Sequence, residues 1–469
     1  MRRPLVLSLT LIVAACSAGG IAPSVPGGNH AFGRERNNSA VSFTILHSFQ
    51  ASPTDGSYPS GGIIASENGR YVGTTFYGGA PKKCNGSVEC GTVYDSAIGS
   101  PEDRLLYTFD GPPDGELPTG VINDNGTLYG ANQFGGAADF GAIFLLEPSA
   151  KHPNKWVERI IYSFKGPPSD GSDVVGIFHA DTSGSLYGLT FMGGSATTCF
   201  FGASGCGAVF KLTPPSGKQK TWQESILHSF TGVPDGAAPN GLVWSGDTVY
   251  GTTEYGGTST ECPYLQGCGT LYTLAKSGGK HAWTEHVVHS FNVGGSQSDG
   301  SIPNGRMVAG KDGTIYGTTG YGGGMGTCTV EKGLNYCGTL YQYVPGSQGQ
   351  AGSRESILYA FKGAPADGAQ PDSFTPNGHG GFYGVTGAGG GGNCDGYLGC
   401  GTLYELSRPA KGRSAWKERV LHSFAGPPTD GYDPLGSLVL SNGTLYGVTD
   451  LGGSGPCPFG CGTIYSMQP

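Results

Sequence analysis

Twelve of the thirteen cysteines stand in close pairs: Cys84/Cys90, Cys199/Cys206, Cys262/Cys268, Cys328/Cys337, Cys394/Cys400 and Cys457/Cys461. None of these pairs has the two-residue gap of a zinc knuckle, so local disulfides are expected and metal binding is not. Seven aspartates precede glycine, at Asp55, Asp114, Asp170, Asp235, Asp299, Asp367 and Asp430. Seven carboxylates could form an acidic ring for cations or sugar hydroxyls. Each could equally cap its own turn through an Asx hydrogen bond, and the sevenfold repetition favours the cap. His47, His228, His289 and His422 each precede a serine or its equivalent, which would suit a nucleophile and its base. However, Tyr107, Tyr162 and Tyr359 take the same place, and adjacent residues of a strand point to opposite faces. No catalytic residue is therefore assigned, and neither a metal site nor a cofactor is expected.

Two further features break the repeat. Tyr264, Tyr397 and Phe459 lie inside the cysteine loops, where they could stack on sugar faces or pack over their own glycine-rich loops. Arg306 stands where other copies carry Gly62, Val121, Ile177, Leu242, Phe374 and Ser437. An arginine on an inner strand must find a partner or face a solvated channel, and a buried ion pair is the reading preferred.

The elements that position these residues follow from an internal repeat. An apolar residue followed by His or Tyr, then Ser, Thr or Ala, then Phe occurs seven times, ending at Phe49, Phe109, Phe164, Phe230, Phe291, Phe361 and Phe424. Asp-Gly follows each copy. Four residues after the aspartate comes proline, replaced by Val174 in the third copy. Next come a short apolar strand, a tight turn such as Ser441-Asn442-Gly443, and a strand typified by Thr248–Thr253. Asn-Gly tolerates the positive φ that hairpin turns require. A Gly-Gly pair, the cysteine loop, a third strand such as Gly401–Tyr404 and a longer fourth strand such as Trp416–Phe424 complete the unit. Four antiparallel strands repeated seven times predict an all-β, seven-bladed β-propeller. The pattern begins with a fourth strand, Ser42–Phe49, and ends with a third, Gly462–Met467. The N-terminal strand is thus expected to complete the last blade and close the ring, removing exposed sheet edges.

Composition sets the surroundings. There are 87 glycines and 31 prolines, yet only 13% of residues are charged, which fits strands punctuated by turns rather than a charged disordered chain. Arg2, Arg3 and the apolar run Leu5–Val13 read as an export signal too short to span a membrane. Val13-Ala14-Ala15-Cys16 resembles the lipobox of bacterial lipoproteins, which implies acylation of Cys16. The expected organisation is therefore a signal peptide over 1–15, a flexible tether over 16–40 and the propeller over 41–469. Loss of the two leader arginines takes the net charge from −8 to −10, and an acidic body without a basic cluster argues against nucleic acid as a partner.

The combined motif, Ser-Phe…Asp-Gly-x-x-Pro…Leu-Tyr-Gly-Thr-Thr…Gly-Gly…Cys-Gly-Thr-Leu-Tyr, spans roughly Ser42 to Met467. It resembles the tandem GloVer repeats of exported bacterial proteins grouped under a choice-of-anchor description. The resemblance implies surface export but no activity. The expectation is a monomeric surface binding module for a glycan or protein, anchored by its N-terminal lipid to the cell envelope, in the outer membrane. A structural or adhesive scaffold without a small ligand and a propeller-fold glycosidase or lyase are the alternatives. Strand alternation puts the Asp-Gly links and the cysteine loops on one face, which is the expected binding face.

Overall fold

The structure is a computed structural model. It describes residues 42–51, 53, 55–66, 69–79, 90–97, 103–152, 155–197, 199, 202–262, 266–276, 283–293, 299–323, 328, 330–331, 334–335, 337–346, 352–394 and 399–469. The expected leader, the tether and Cys16 lie outside these residues, as do Tyr264, Tyr397 and Cys84.

Every named element among the described residues is a β-strand. Most strands form four-stranded antiparallel sheets in simple up-and-down order. A representative sheet runs through Gly115–Asp124, Thr127–Gly135, Ala142–Pro148 and Trp156–Ser163. Its first hairpin turns on Asn125 (φ 51°) and Gly126 (φ 85°), the left-handed pair that Asn-Gly supplies. The sheets of the first and last repeats are joined: Gly62 pairs in parallel with Ser437, giving one eight-stranded sheet. On its far edge Ser42–Ser48 pairs antiparallel with Thr463–Gln468, from Ser42 against Gln468 to Ser48 against Thr463.

Two details depart from the sequence pattern. The first strands begin at the glycine of Asp-Gly itself, as at Gly171 and Gly236, and so include the proline that the sequence assigned to a link. Register shifts around that proline absorb the missing backbone N–H. In the fifth repeat the first strand splits into Ser301–Pro303 and Val308–Ala309, and Arg306 lies in the gap.

The repeated residues pack in a repeated way. The phenylalanine closing each His/Tyr-Ser-Phe phrase is fully buried in all seven copies. It meets the aromatic ring of the third strand edge-on, as Phe230 meets Tyr272 at 5.0 Å and Phe361 meets Tyr404 at 5.2 Å. That second ring lies over the glycine of Tyr-Gly: a Cβ on Gly251 would sit 2.1 Å from the Tyr272 ring. Apolar clusters bridge successive sheets, as where Val72 and Val93 join Val121, Leu128 and Phe144.

Backbone bonds also cross between sheets. The residue before each proline or Val174, namely Tyr58, Leu117, Asp173, Ala238, Ile302, Gln370 and Asp433, has φ between 52° and 60°. This conformation aims its N–H at the preceding sheet, as in Ala238 N–H to Cys206 C=O at 2.9 Å and Gln370 N–H to Cys337 C=O at 2.9 Å. Tyr58 makes the same bond to Cys461 at 2.9 Å, from the first repeat to the last. The next residue packs on the glycine before a third strand. A Cβ on Gly207 would lie 2.4 Å from Pro239, and one on Gly141 would lie 2.5 Å from Val174. These glycines also hold φ near 92° and 102°, so both halves of Pro and Cys-Gly-Thr are required by one contact.

Deleting Ser42–Phe49 would strip Thr463–Gln468 of its partner and leave an open edge. The deletion should lower the melting temperature and bring aggregation or protease sensitivity. An unchanged melting temperature with monomeric behaviour would contradict this.

Candidate functional site

Each Asp-Gly aspartate gathers the same partners. Asp170 accepts hydrogen bonds from the Tyr162 hydroxyl at 2.8 Å, Lys165 N–H at 2.9 Å and Gly171 N–H at 2.7 Å. Asp430 accepts from Ala425 N–H at 3.0 Å and Gly431 N–H at 2.7 Å, and lies 2.9 Å from His422 Nε2. Asp114 and Asp367 bond Tyr107 and Tyr359, while Asp55, Asp235 and Asp299 bond His47, His228 and His289. The seven carboxylates thus cap their own turns and fix the polar tip of the preceding aromatic residue. The serines beside these rings serve another purpose. Ser229, Ser290 and Ser423 accept backbone N–H bonds from Ser195, Thr258 and Gly391 at the neighbouring Gly-Gly corner.

A second acid approaches five of the seven caps from the next sheet, which sequence reading did not anticipate. Glu158, Glu224, Glu285, Glu355 and Glu418 occupy one position on successive fourth strands, and each has a buried Oε1 without a hydrogen-bond partner. Desolvation first, and the Asp114 charge second, push Glu158 up to about 8. Burial and Asp367 push Glu418 up to about 8. Backbone N–H groups point at the aspartates, as Lys165 and Gly171 do at Asp170, while the buried glutamate Oε1 atoms have no such donor. The last repeat carries Phe43 there instead, stacked on His422 at 3.6 Å.

Five disulfides are formed as expected: Cys199–Cys206, Cys262–Cys268, Cys328–Cys337, Cys394–Cys400 and Cys457–Cys461. Cys90 is also disulfide-bonded. Such bridges mark an exported or extracellular protein. Arg306 is buried, donating to Gly61 C=O at 3.0 Å and to Ser437 Oγ, with Nε 3.8 Å from Asp372. It thereby joins the fifth repeat to the first, sixth and last.

Among the described residues, five large exposed apolar side chains lie at the ends of the strands that carry the Asp-Gly links and disulfide loops, while Val157, Val344, Ile357 and Leu440 are exposed elsewhere. Phe459 is 57% exposed and Val233 59%, and Tyr77, Phe134 and Phe140 are exposed as well. Phe459, Tyr77, Phe134 and Phe140 belong to the last, first and second repeats, which the bonds from Tyr58 to Cys461 and from Leu117 to Cys90 hold side by side. At the seam between last and first repeats, Tyr77 meets Tyr58 edge-on at 5.6 Å. Burial first, and the charge of Asp450 second, raise the Tyr77 hydroxyl above its usual range. Asp450 itself is pushed up to about 7 by desolvation, and its buried Oδ1 has no hydrogen-bond partner. The Phe459 carbonyl accepts Gly452 N–H at 2.7 Å, which ties the aromatic loop close to Asp450. Asp450 was legible only as a break in symmetry, since other repeats place Phe76, Gln133, Phe191, Glu254, Gly320 and Gly387 where it stands. Tyr77 was not even that, because Tyr255 and Tyr321 hold its place in the fourth and fifth repeats.

Residues 27–201 match the family model of the Gloeobacter/Verrucomicrobia repeat. No curated protein sequence matches the chain. Solved structures of similar fold include a gluconolactonase of Xanthomonas campestris, 13% identical over 75% of this chain and 87% of that one, with a TM-score of 0.37. The α-L-arabinofuranosidase of Fusarium graminearum is 12% identical over 90% and 96%, with a TM-score of 0.38. TolB of Acinetobacter baumannii is 14% identical over 76% and 68%, with a TM-score of 0.33. The fold is all-β with neighbours of propeller type, and at these scores the likeness bears on no activity.

Folding raises the affinity of Glu158 and Glu418 for their protons, from an ordinary 4.5 to about 8. Their contribution to stability is therefore full below pH 4.5 and is lost as pH rises through 8. The melting temperature of E158Q/E418Q should fall less between pH 5 and pH 9 than that of the unchanged protein. Parallel pH profiles would contradict this.

Proposed function

We propose that residues 41–469 form one seven-bladed β-propeller, closed by the N-terminal strand and built of repeats like those of the Gloeobacter/Verrucomicrobia repeat, whose family model residues 27–201 match. Support comes from the Ser42–Ser48 pairing and from the Tyr58 bond, which tie the two ends of the chain's repeat series together. The propeller is a surface binding module, held to the cell envelope through acylated Cys16 and located at the outer membrane, with glycans as its ligand class.

The observation that carries the binding role is the seam of the last and first repeats. Exposed rings, Tyr77 and Phe459, stand there with Asp450, whose buried Oδ1 has no hydrogen-bond partner. Flat apolar rings fit the faces of sugars, and a carboxyl fits their hydroxyl edges. The disulfide Cys457–Cys461 keeps the Phe459 loop in shape, which limits the entropy lost on binding. Arg306 fills space among the inner strands of four repeats, which favours the loop face over a site along the axis.

A glycan array probed with the tag-free protein tests the ligand class. For any glycan retained, Tyr77→Ala, Phe459→Ala and Asp450→Asn should each weaken binding by about one to a few kcal/mol, as loss of an anchor does, with the melting temperature kept. No retained glycan, or affinity undiminished in all three variants, would contradict the reading.

A further inference from the structure

We infer that His228, Asp235 and Glu285 form a binding site for a divalent transition-metal ion of the zinc class. Their ligand atoms, one imidazole nitrogen and two carboxylate oxygens, all lie within 4.8 Å of one another. His228 Nε2 stands 3.3 Å from Asp235 Oδ2. Two ligands about 2.1 Å from one tetrahedral ion are separated by about that much. Imidazole with carboxylate is a donor set that zinc accepts.

The second observation is the state of the oxygens. Asp235 Oδ1 and Glu285 Oε1 are both buried without a hydrogen-bond partner. Asp235 Oδ2 is held by Thr231 N–H at 3.0 Å and by the Thr231 hydroxyl at 3.1 Å, so the carboxylate is oriented in advance. Orphan oxygens also occur at Asp114 and Glu158, beside Tyr107. At Asp235 and Glu285 an imidazole stands in that place, and a dication held by all three side chains would supply the missing positive charge.

Comparison among the repeats shows that this is not a generic packing arrangement. Where the tip is Tyr107, Tyr162 or Tyr359, a phenol donates to the aspartate and offers no ligand nitrogen. Where the tip is His422, Phe43 replaces the acid. His289, Asp299 and Glu355 repeat the triad in the next sheet, but both Asp299 oxygens are engaged, by His289 at 2.7 Å and Asn292 N–H at 2.6 Å. Beside the His228 triad lies an open depression lined by Pro234, Asp235, Thr258, Glu285 and Val287, and by His289 of the neighbouring triad. A fourth ligand, water or an oxygen of a bound molecule, can reach the ion from that side.

The test uses the protein's own alternative residue. Full-length, tag-free H289Y, which removes the neighbouring triad, is stripped with chelator and titrated calorimetrically with zinc chloride. It should bind one zinc ion per chain, and zinc should raise its melting temperature. H228Y/H289Y and E285Q/H289Y should lose that equivalent and the thermal shift, with chelated melting temperatures equal to that of H289Y. Absence of zinc binding by H289Y, or equal stoichiometry in all three proteins, would overturn the site. Should the tyrosine variant melt early in chelator, E285Q/H289Y alone decides, because it keeps the imidazole.

Discussion

The structure depends on a carboxylate placed between a turn and an aromatic tip. Asp170 shows it plainly: three hydrogen-bond donors converge on one side chain, two from the backbone of its own link and one from Tyr162 on the strand before. Hydrogen bonds to a charged group contribute about 1.5–3 kcal/mol each. The bond fixes the angle at which one repeat's last strand hands the chain to the next repeat's first. It also holds the tip ring against the buried phenylalanine, as Tyr162 sits edge-on to Phe164 at 5.0 Å. From there the order spreads inward to Phe210 and outward to Glu224, whose carboxyl burial pushes up to about 7.

A second constraint sets how closely sheets approach. The N–H of a left-handed residue reaches the preceding sheet, and the proline beside it presses on a glycine that has no Cβ to clash. Val174 fills the same space in the third repeat, so the contact needs bulk and not a proline ring. With seven such contacts built alike, what differs between repeats is free to serve binding. Asp450 and Phe459 differ at one seam, Arg306 in the split first strand of the fifth repeat, and the His228 triad at the fourth strands.

Much of this was legible in the chain. The His/Tyr-Ser-Phe phrase predicts an aromatic with a polar tip, because histidine and tyrosine share only that property, and both meet the aspartate. The cysteine pairing follows from proximity in sequence, and five bridges form. The meeting of Glu285 with His228 could not be read, because the two residues lie on neighbouring sheets and 57 positions apart. The same holds for Arg306, whose partners come from three other repeats. The position of Asp450 marks a break in the repeat, yet only the fold brings it to Tyr77.

The double-mutant cycle of Asp170→Ala and Tyr162→Phe, read by denaturant unfolding, addresses the central interaction most directly. The account predicts that the aspartate variant costs more than the tyrosine variant, since it also frees two backbone N–H groups. It further predicts a coupling of about 1 kcal/mol or more between them. Strictly additive losses, or an Asp170→Ala protein as stable as its parent, would contradict the claim that this carboxylate holds turn and strand together.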